Sequence, residues 1–241
     1  MTIGNKIIRY DSIDSTNDEI KRLARLSPLE NGTVVTAGEQ TAGRGRLGRT
    51  WLSPRGGLYF SVYLAPNEIY PDFAGHIAMF VGVSVAASLG VPCHLKWTND
   101  VVIKHNGIKK VSGLLSETVF EGDTPLFTVI GIGVNVKSLR ENYLSLEDVG
   151  VNLTPDALLP RILSEMDKNY PRLGSPEIRA RYKELCVNLG EYAKITSHGR
   201  VLEGICTDIT CGGHMLLQTQ DGITEVFAGE ATLRGANGRY S

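Results

Sequence analysis

Asn106-Gly107 constrains this chain more tightly than any other dipeptide in it. Both residues tolerate the positive φ that the central positions of a type I′ turn demand. Segments 95-LKWTNDVVIKH-105 and 108-IKKVSGLLSETVF-120, rich in β-branched and apolar residues, flank the pair. The pattern predicts an antiparallel hairpin whose second strand carries Lys109 and Lys110 close to the turn.

Further strands are expected at 33-TVVTAGEQ-40, 57-GLYFSVYL-64 and 127-FTVIGIGVNV-136. Glycine weakens a strand interior unless a ligand or another backbone approaches closely, so Gly131 and Gly133 mark a candidate site. Residues 10–26 read as a short strand or turn leading into a helix, with Ser15 and Asp18 as an S-x-x-D cap ahead of Ile20, Leu23 and Ala24. Thr154 caps a helix over 154–170 with Pro155 in its first turn, and a second helix follows at about 176–187. The apolar run 77-IAMFVGVSVAASLGV-91 is shorter than the roughly 18 to 20 residues of a membrane span, and reads as a helix buried against a sheet.

From Leu189 the pattern changes to short strands, YAKITS, VLEGICTDIT, HMLLQT, TEVFAG and ATLR, with a turn signal at Asp221-Gly222. This tail predicts a small β-barrel-like domain over 189–241, after a main domain over 1–188. Strands grouped around a few helices, without βαβ alternation, make the main domain α+β.

The segment 43-GRGRLGRTW-51 fits G-x-G-x-x-G. A dinucleotide fingerprint needs a helix after its glycines, and here Pro54 and Gly56-Gly57 follow instead. The alternative is a loop carrying Arg44, Arg46 and Arg49, whose guanidinium forks and backbone N–H groups suit phosphate or carboxylate oxygens. A solvated loop or a nucleic-acid contact fits the same letters. Composition weighs against the last of these, because 25 basic and 26 acidic residues leave a net charge of −1. Four cysteines without a C-x-x-C pair, and an N-terminus without an apolar signal core, predict a cytoplasmic protein with reduced thiols.

GEQTAGRGRLGRTW, LKWTND, IKKVSGLLSE and GIGVNV, in this order and spacing, resemble the biotin–protein ligases, and GEATLRG resembles the tail of their C-terminal SH3-like domain. The resemblance covers essentially the whole chain. It implies a class II aminoacyl-tRNA-synthetase-like catalytic domain with a mixed sheet and helices, followed by a small SH3-like barrel. It also implies a two-step reaction. Biotin's carboxylate attacks the α-phosphorus of ATP to give biotinyl-5′-adenylate, and a lysine of a biotin carboxyl carrier protein domain then attacks that mixed anhydride. Neither step uses a protein nucleophile.

By this match Lys110, Arg44 and Arg46 carry the chemistry, Lys110 being the family's lysine because it stands three residues before Gly113. Ser15, Thr16, Gln40, Gly43, Arg44, Tyr59, Lys110, Gly113, Leu115, Gly131 and Gly133 are implied to bind biotin. Arg46, Arg49, Trp51, Asn99, Asp100, Lys110, Asn135, Glu230 and Arg234 are implied to bind ATP, with Asp100 as a ligand for Mg²⁺ on the phosphates. Thr98 departs from the family's W-P-N-D element, which leaves the turn before Asn99 open. The Gly/Arg loop is expected to order over the adenylate and exclude water. Larger family members carry an N-terminal DNA-binding domain and this sequence opens at the ligase domain, so no repressor role or DNA binding is expected; the resemblance separately implies a homodimer, and no membrane binding is expected. The competing readings are a lipoate–protein ligase of the same fold and a nucleic-acid-binding module.

Overall fold

The structure, a computed structural model, describes residues 3–65, 72–138, 143–197 and 199–233. Seven strands form the larger sheet: β1 (Ile7–Ile13), β2 (Val34–Gln40), β3 (Leu58–Leu64), β4 (His94–Lys96), β5 (Asp100–Lys104), β6 (Ile108–Glu121) and β7 (Thr124–Val134). Their spatial order is β1-β2-β3-β7-β6-β5-β4. β1 and β2 are parallel and the other neighbours antiparallel, which makes the sheet mixed. A parallel pair needs a crossover, and α1 (Thr16–Leu26) supplies it.

The strands alternate between two cores. On β3, Leu58, Phe60, Val62 and Leu64 belong to the core that also holds α2 (Phe73–Ser88), while Tyr63 joins Val35, Val129 and Ile20 under α1. Twelve of the sixteen residues of α2 are buried, so this helix is apolar on every side because it lies between the sheet, α3 (Pro155–Asn169) and α4 (Pro176–Leu185). The hydroxyls of Ser84 and Ser88 are satisfied inside it by the carbonyls of Phe80 and Ser84, at 2.8 and 2.7 Å. Among the described residues no helix is long and apolar enough to cross a membrane.

The second sheet contains β8 (Tyr192–Ser197), β9 (Arg200–Ile209), β10 (Met215–Thr219), β11 (Gly222–Val226) and β12 (Glu230–Leu233), in the order β11-β10-β9-β8-β12. It is antiparallel throughout, and β11 and β12 end it as edges. The expected barrel is therefore an open ladder among the described residues. Its inner residues, including Ile195, Cys206, Met215 and Leu217, belong to the same hydrophobic core as α2.

Two local expectations change. The hairpin forms with Asn106 and Gly107 at φ 49° and 111°, but three residues separate the paired Lys104 and Ile108, a loop of the kind that ends on a left-handed residue. The strand expected over 95–105 is two, because the chain reverses at Trp97–Asn99 and pairs Lys96 with Asp100. Tertiary partners hold that reversal: the Trp97 backbone N–H donates to Asn188 Oδ1 at 2.7 Å and its indole N–H to the Gly213 carbonyl at 3.0 Å. The Trp97–Thr98 peptide is cis.

Candidate functional site

On the α1 face, glycines on β6 and β7 leave part of the sheet bare. Gly133 pairs with Gly113 on one side and Tyr59 on the other, and Gly131 pairs with Leu115 and Ser61. Above this patch lies a cavity of about 270 Å³, bounded by α1, the Gly/Arg loop, the Trp97–Asp100 turn and the start of β12. The large sheet thus supplies a floor kept low by three glycines, Gly113, Gly131 and Gly133, and loops supply the walls.

The first turn of α1 forms one wall. Ser15 caps the helix by accepting from the Asp18 N–H, which leaves Thr16 and Asn17 facing the cavity. Gln40 Oε1 accepts from the Thr16 N–H at 2.9 Å and from its hydroxyl at 3.0 Å, and Gln40 Nε2 donates to Ser53 Oγ at 2.8 Å. Ser61 Oγ donates to Asn17 Oδ1 at 2.5 Å, and Asn17 Nδ2 donates to Glu117 Oε2 at 2.7 Å. Every amide here has its orientation set by a neighbour. Burial pushes the Glu117 carboxyl up, but the Asn17 amide, Lys21 and Arg44 outweigh it and hold the group below the usual carboxylate range.

The Gly/Arg loop is fastened at three points. Arg44 Nη2 lies 2.6 Å from Asp18 Oδ1 and 3.0 Å from Glu117 Oε2. Arg46 Nη1 reaches Thr98 Oγ1, Asn99 Oδ1 and the Gly229 carbonyl at 2.9, 2.8 and 3.2 Å. Those three acceptors are neutral, and burial lowers the pKa of this guanidinium from its ordinary value. Arg49 grips Glu230 of β12 with both terminal nitrogens. Between these points the loop makes a short 3-10 turn over Arg46–Gly48, with Leu47 at φ 55° and Gly48 at φ 74°.

Lys110 rises from β6 opposite Val102, and its Nζ lies 2.6 Å from Asp100 Oδ1 and 4.9 Å from the Trp51 ring centre. Trp51 lies against the floor: a Cβ on Gly133 would meet its Nε1 at 2.4 Å, and one on Gly113 would meet its ring at 2.8 Å. Its indole N–H is buried and has no hydrogen-bond partner among the described residues. Trp51 also borders a second cavity of about 80 Å³, lined on its other sides by Tyr59, Asn135, Pro54 and Lys137. The indole thus separates two adjoining compartments.

Most of the expected site residues meet in the larger cavity: Ser15, Thr16, Gln40, Arg44, Arg46, Arg49, Trp51, Asn99, Asp100, Lys110, Gly113, Leu115, Gly131, Gly133 and Glu230. Three do not line it. Tyr59, whose hydroxyl donates to the Pro54 carbonyl at 2.8 Å, and Asn135, whose amide donates to the Leu144 carbonyl at 3.1 Å, line the second compartment. Gly43 lies beneath the loop, where a Cβ would meet the Trp51 carbonyl at 2.4 Å. Arg234 lies outside the described residues. Asn17, Ser61 and Glu117 are additions to the sequence reading. Glu117 and Ser61 had a signal, since period-two alternation from Gly113 through Leu115, and from Tyr59, brings them to the same face; Asn17 had none beyond being polar.

Five cations line the larger cavity, Arg44, Arg46, Arg49, Lys96 and Lys110, against two carboxylates, Asp100 and Glu230. Such a lining suits a ligand with several negative charges. Among the described residues no group of three or more His, Cys, Asp or Glu side chains could hold a metal ion by itself.

Comparisons with known proteins agree with this geometry. The family model described as the biotin/lipoate A/B protein ligase family matches residues 10–135. The bifunctional ligase/repressor BirA of Bacillus spizizenii is 30% identical over 96% of this chain and 75% of that protein. The biotin–[acetyl-CoA-carboxylase] ligase of Mycobacterium tuberculosis is 30% identical over 90% of this chain and 84% of its own. The biotin protein ligase of Aquifex aeolicus, solved in complex with biotin and ATP, superposes with a TM-score of 0.81 at 30% identity, covering 96% of this chain and all of that one. With its glycine floor, cationic lining and matching sequence over more than half its length, this chain belongs to the biotin/lipoate A/B protein ligase family.

Proposed function

We propose that this chain is an ATP-dependent biotin–protein ligase, which activates biotin as biotinyl-5′-adenylate and transfers it to a lysine of a biotin carboxyl carrier protein domain. The observation that carries the reading is the cavity itself, where five cations against two carboxylates stand beside a glycine-rich floor and a polar pocket of fixed amides. A carboxylate must approach a triphosphate in the first step. Cancelling that repulsion, and the charge that spreads over the phosphoryl oxygens, is the work such a lining does.

In this reading Thr16, Asn17 and Gln40 recognise the ureido ring over Gly131, while Lys110 and Arg44 draw the carboxylate toward the α-phosphate. Trp51 and Asn135 take the adenine, and Arg46 and Arg49 close over the phosphates. Fastening the loop to the Trp97–Asp100 turn and to β12 keeps water from the mixed anhydride until the acceptor lysine arrives. Mg²⁺ fits this donor set as a guest of the phosphates, which Asp100 assists with one carboxylate. When bound it shields phosphate charge. The same reading takes residues 1–188 as the catalytic domain, 189–241 as an SH3-like domain, and the working form as a cytoplasmic homodimer.

The test is exchange of labelled pyrophosphate into ATP with biotin or lipoate as the acid. Biotin-dependent exchange that Lys110→Ala abolishes is the expected result. Exchange with lipoate alone, or with neither acid in folded wild-type protein supplied with Mg²⁺, overturns it.

A further inference from the structure

Four of the five cavity cations already meet oxygen atoms. Arg44 holds Asp18 and Glu117, Arg46 holds Thr98 and Asn99, Arg49 holds Glu230, and Lys110 holds Asp100. Lys96 is the exception: it lines the cavity, and its ammonium makes no hydrogen bond or ion pair among the described residues. An ammonium that opens on the cavity without a partner is available to an entering anion.

Lys96 ends β4 directly opposite Asp100 on β5, and Asp100 in turn holds Lys110 of β6. Opposed residues of an antiparallel pair project to the same face, so Lys96 and Asp100 stand side by side at the cavity rim, and Gly113 and Gly133 continue their row across β6 and β7. The sheet order β7-β6-β5-β4 puts Gly133 at the inner end of this row and Lys96 at the outer end, two strand spacings of about 4.8 Å beyond Gly113, while Lys110 reaches Asp100 from farther along β6 through its side chain. The glycine floor and Trp51 occupy the inner end. The outer end is left for the part of a nucleotide farthest from its base.

We propose that Lys96 is a further catalytic residue, which binds the β- and γ-phosphates of ATP and stabilises pyrophosphate as it leaves. The inference rests on the adenylating function proposed above. In that step a carboxylate oxygen forms a bond to the α-phosphorus. The bond from that phosphorus to the α,β-bridging oxygen breaks, and its electron pair departs on pyrophosphate. No proton moves, so a fixed cation beside the bridging oxygen is the form of help the step can use. Lys96 has no part in the second step, which releases AMP after pyrophosphate has gone.

That asymmetry gives the test. Full-length wild type, Lys96→Gln and Lys96→Arg are compared in two half-reactions: single-turnover formation of biotinyl-adenylate from biotin, ATP and Mg²⁺, and transfer from supplied biotinyl-5′-adenylate to a carrier domain. Lys96→Gln is expected to slow adenylate formation about 10²-fold and to weaken product inhibition by pyrophosphate, while transfer stays within about twofold of wild type. Lys96→Arg is expected to recover part of the first step. A parallel fall in both half-reactions, with Lys96→Arg no better, assigns Lys96 a structural role and overturns the proposal; so does unchanged adenylation with unchanged pyrophosphate inhibition. Failure of the wild type to form adenylate defeats the underlying reading instead, and shows before any variant is made.

Discussion

Gly131 and Gly133 stand two residues apart on the same face of β7, yet an added methyl group meets different neighbours at each. Alanine at 131 puts Cβ 2.4 Å from Asn17 Oδ1, and alanine at 133 puts it 2.4 Å from Trp51 Nε1. Each distance is about 1 Å short of an ordinary contact, so a neighbour must retreat. Overpacking of this kind costs about 1–3 kcal/mol, and the lower chain entropy of alanine returns about 0.5–1 kcal/mol. The midpoints of the two ranges leave a net loss of about 1.2 kcal/mol, which, taken from the ligand that needs the displaced side chain, weakens its binding by about 8-fold. Asn17 belongs to the polar pocket with Thr16 and Gln40, and Trp51 borders the compartment of Asn135. Calorimetric titration with biotin and with ATP, each alone, should therefore show Gly131→Ala weakening biotin and Gly133→Ala weakening ATP. Gly45→Ala, whose Cβ meets nothing nearer than 3.5 Å, serves as control and should stay within about twofold for both. Equal losses of biotin in both variants, with ATP binding intact at Gly133→Ala, would refute the placement of Trp51 as the nucleotide wall.

Arg46→Ala removes the contacts to Thr98, Asn99 and Gly229, so free biotinyl-adenylate should escape at least about tenfold faster in a chase experiment, and unchanged retention would defeat the closed-loop reading. Because the folded pKa of Glu117 is depressed, its stabilisation is present above its unfolded pKa and lost as pH falls through the folded one. The stability gap between wild type and Glu117→Gln, measured by urea melts, should accordingly be widest near neutrality and narrow below the usual carboxylate range. A gap independent of pH would remove the charge from the explanation. Burial pushes the thiols of Cys93 and Cys186 up to about 11 and that of Cys206 up to about 12, while Cys211 is exposed. One thiol per chain should couple rapidly to a maleimide at neutral pH and four after denaturation; a second rapid thiol in the native protein would contradict the burial.

Local chemistry was legible because it acts over a few residues. Ser15 and Thr154 cap their helices as their side chains predict, and each accepts from the N–H three residues on. Asn106 and Gly107 take positive φ, and the five strands of the tail appear where alternation and turn residues put them. The strand over 95–105 failed for a tertiary reason. Strand propensity runs on through L-K-W-T-N-D, the resemblance only raised a turn before Asn99 and left it open, and the partners that hold the reversal, Asn188 and Gly213, lie 91 and 116 residues away.

The same division runs through the site. Sequence alone determined that this chain carries an arginine-rich glycine loop, a lysine on a rigid hairpin strand and glycines inside a strand, because hydrogen-bonding forks, turn preference and the lack of a Cβ are properties of single residues. Tertiary structure decided what each of them faces. Gly113, Gly131 and Gly133 become one floor only when β6 and β7 pair in the observed register. Trp51 fills the space above two of those glycines, and Glu230 reaches Arg49 only because the small sheet shares its core with the large one. Register and packing are collective outcomes of burying apolar surface on both faces of a sheet, and no short stretch of the chain contains them.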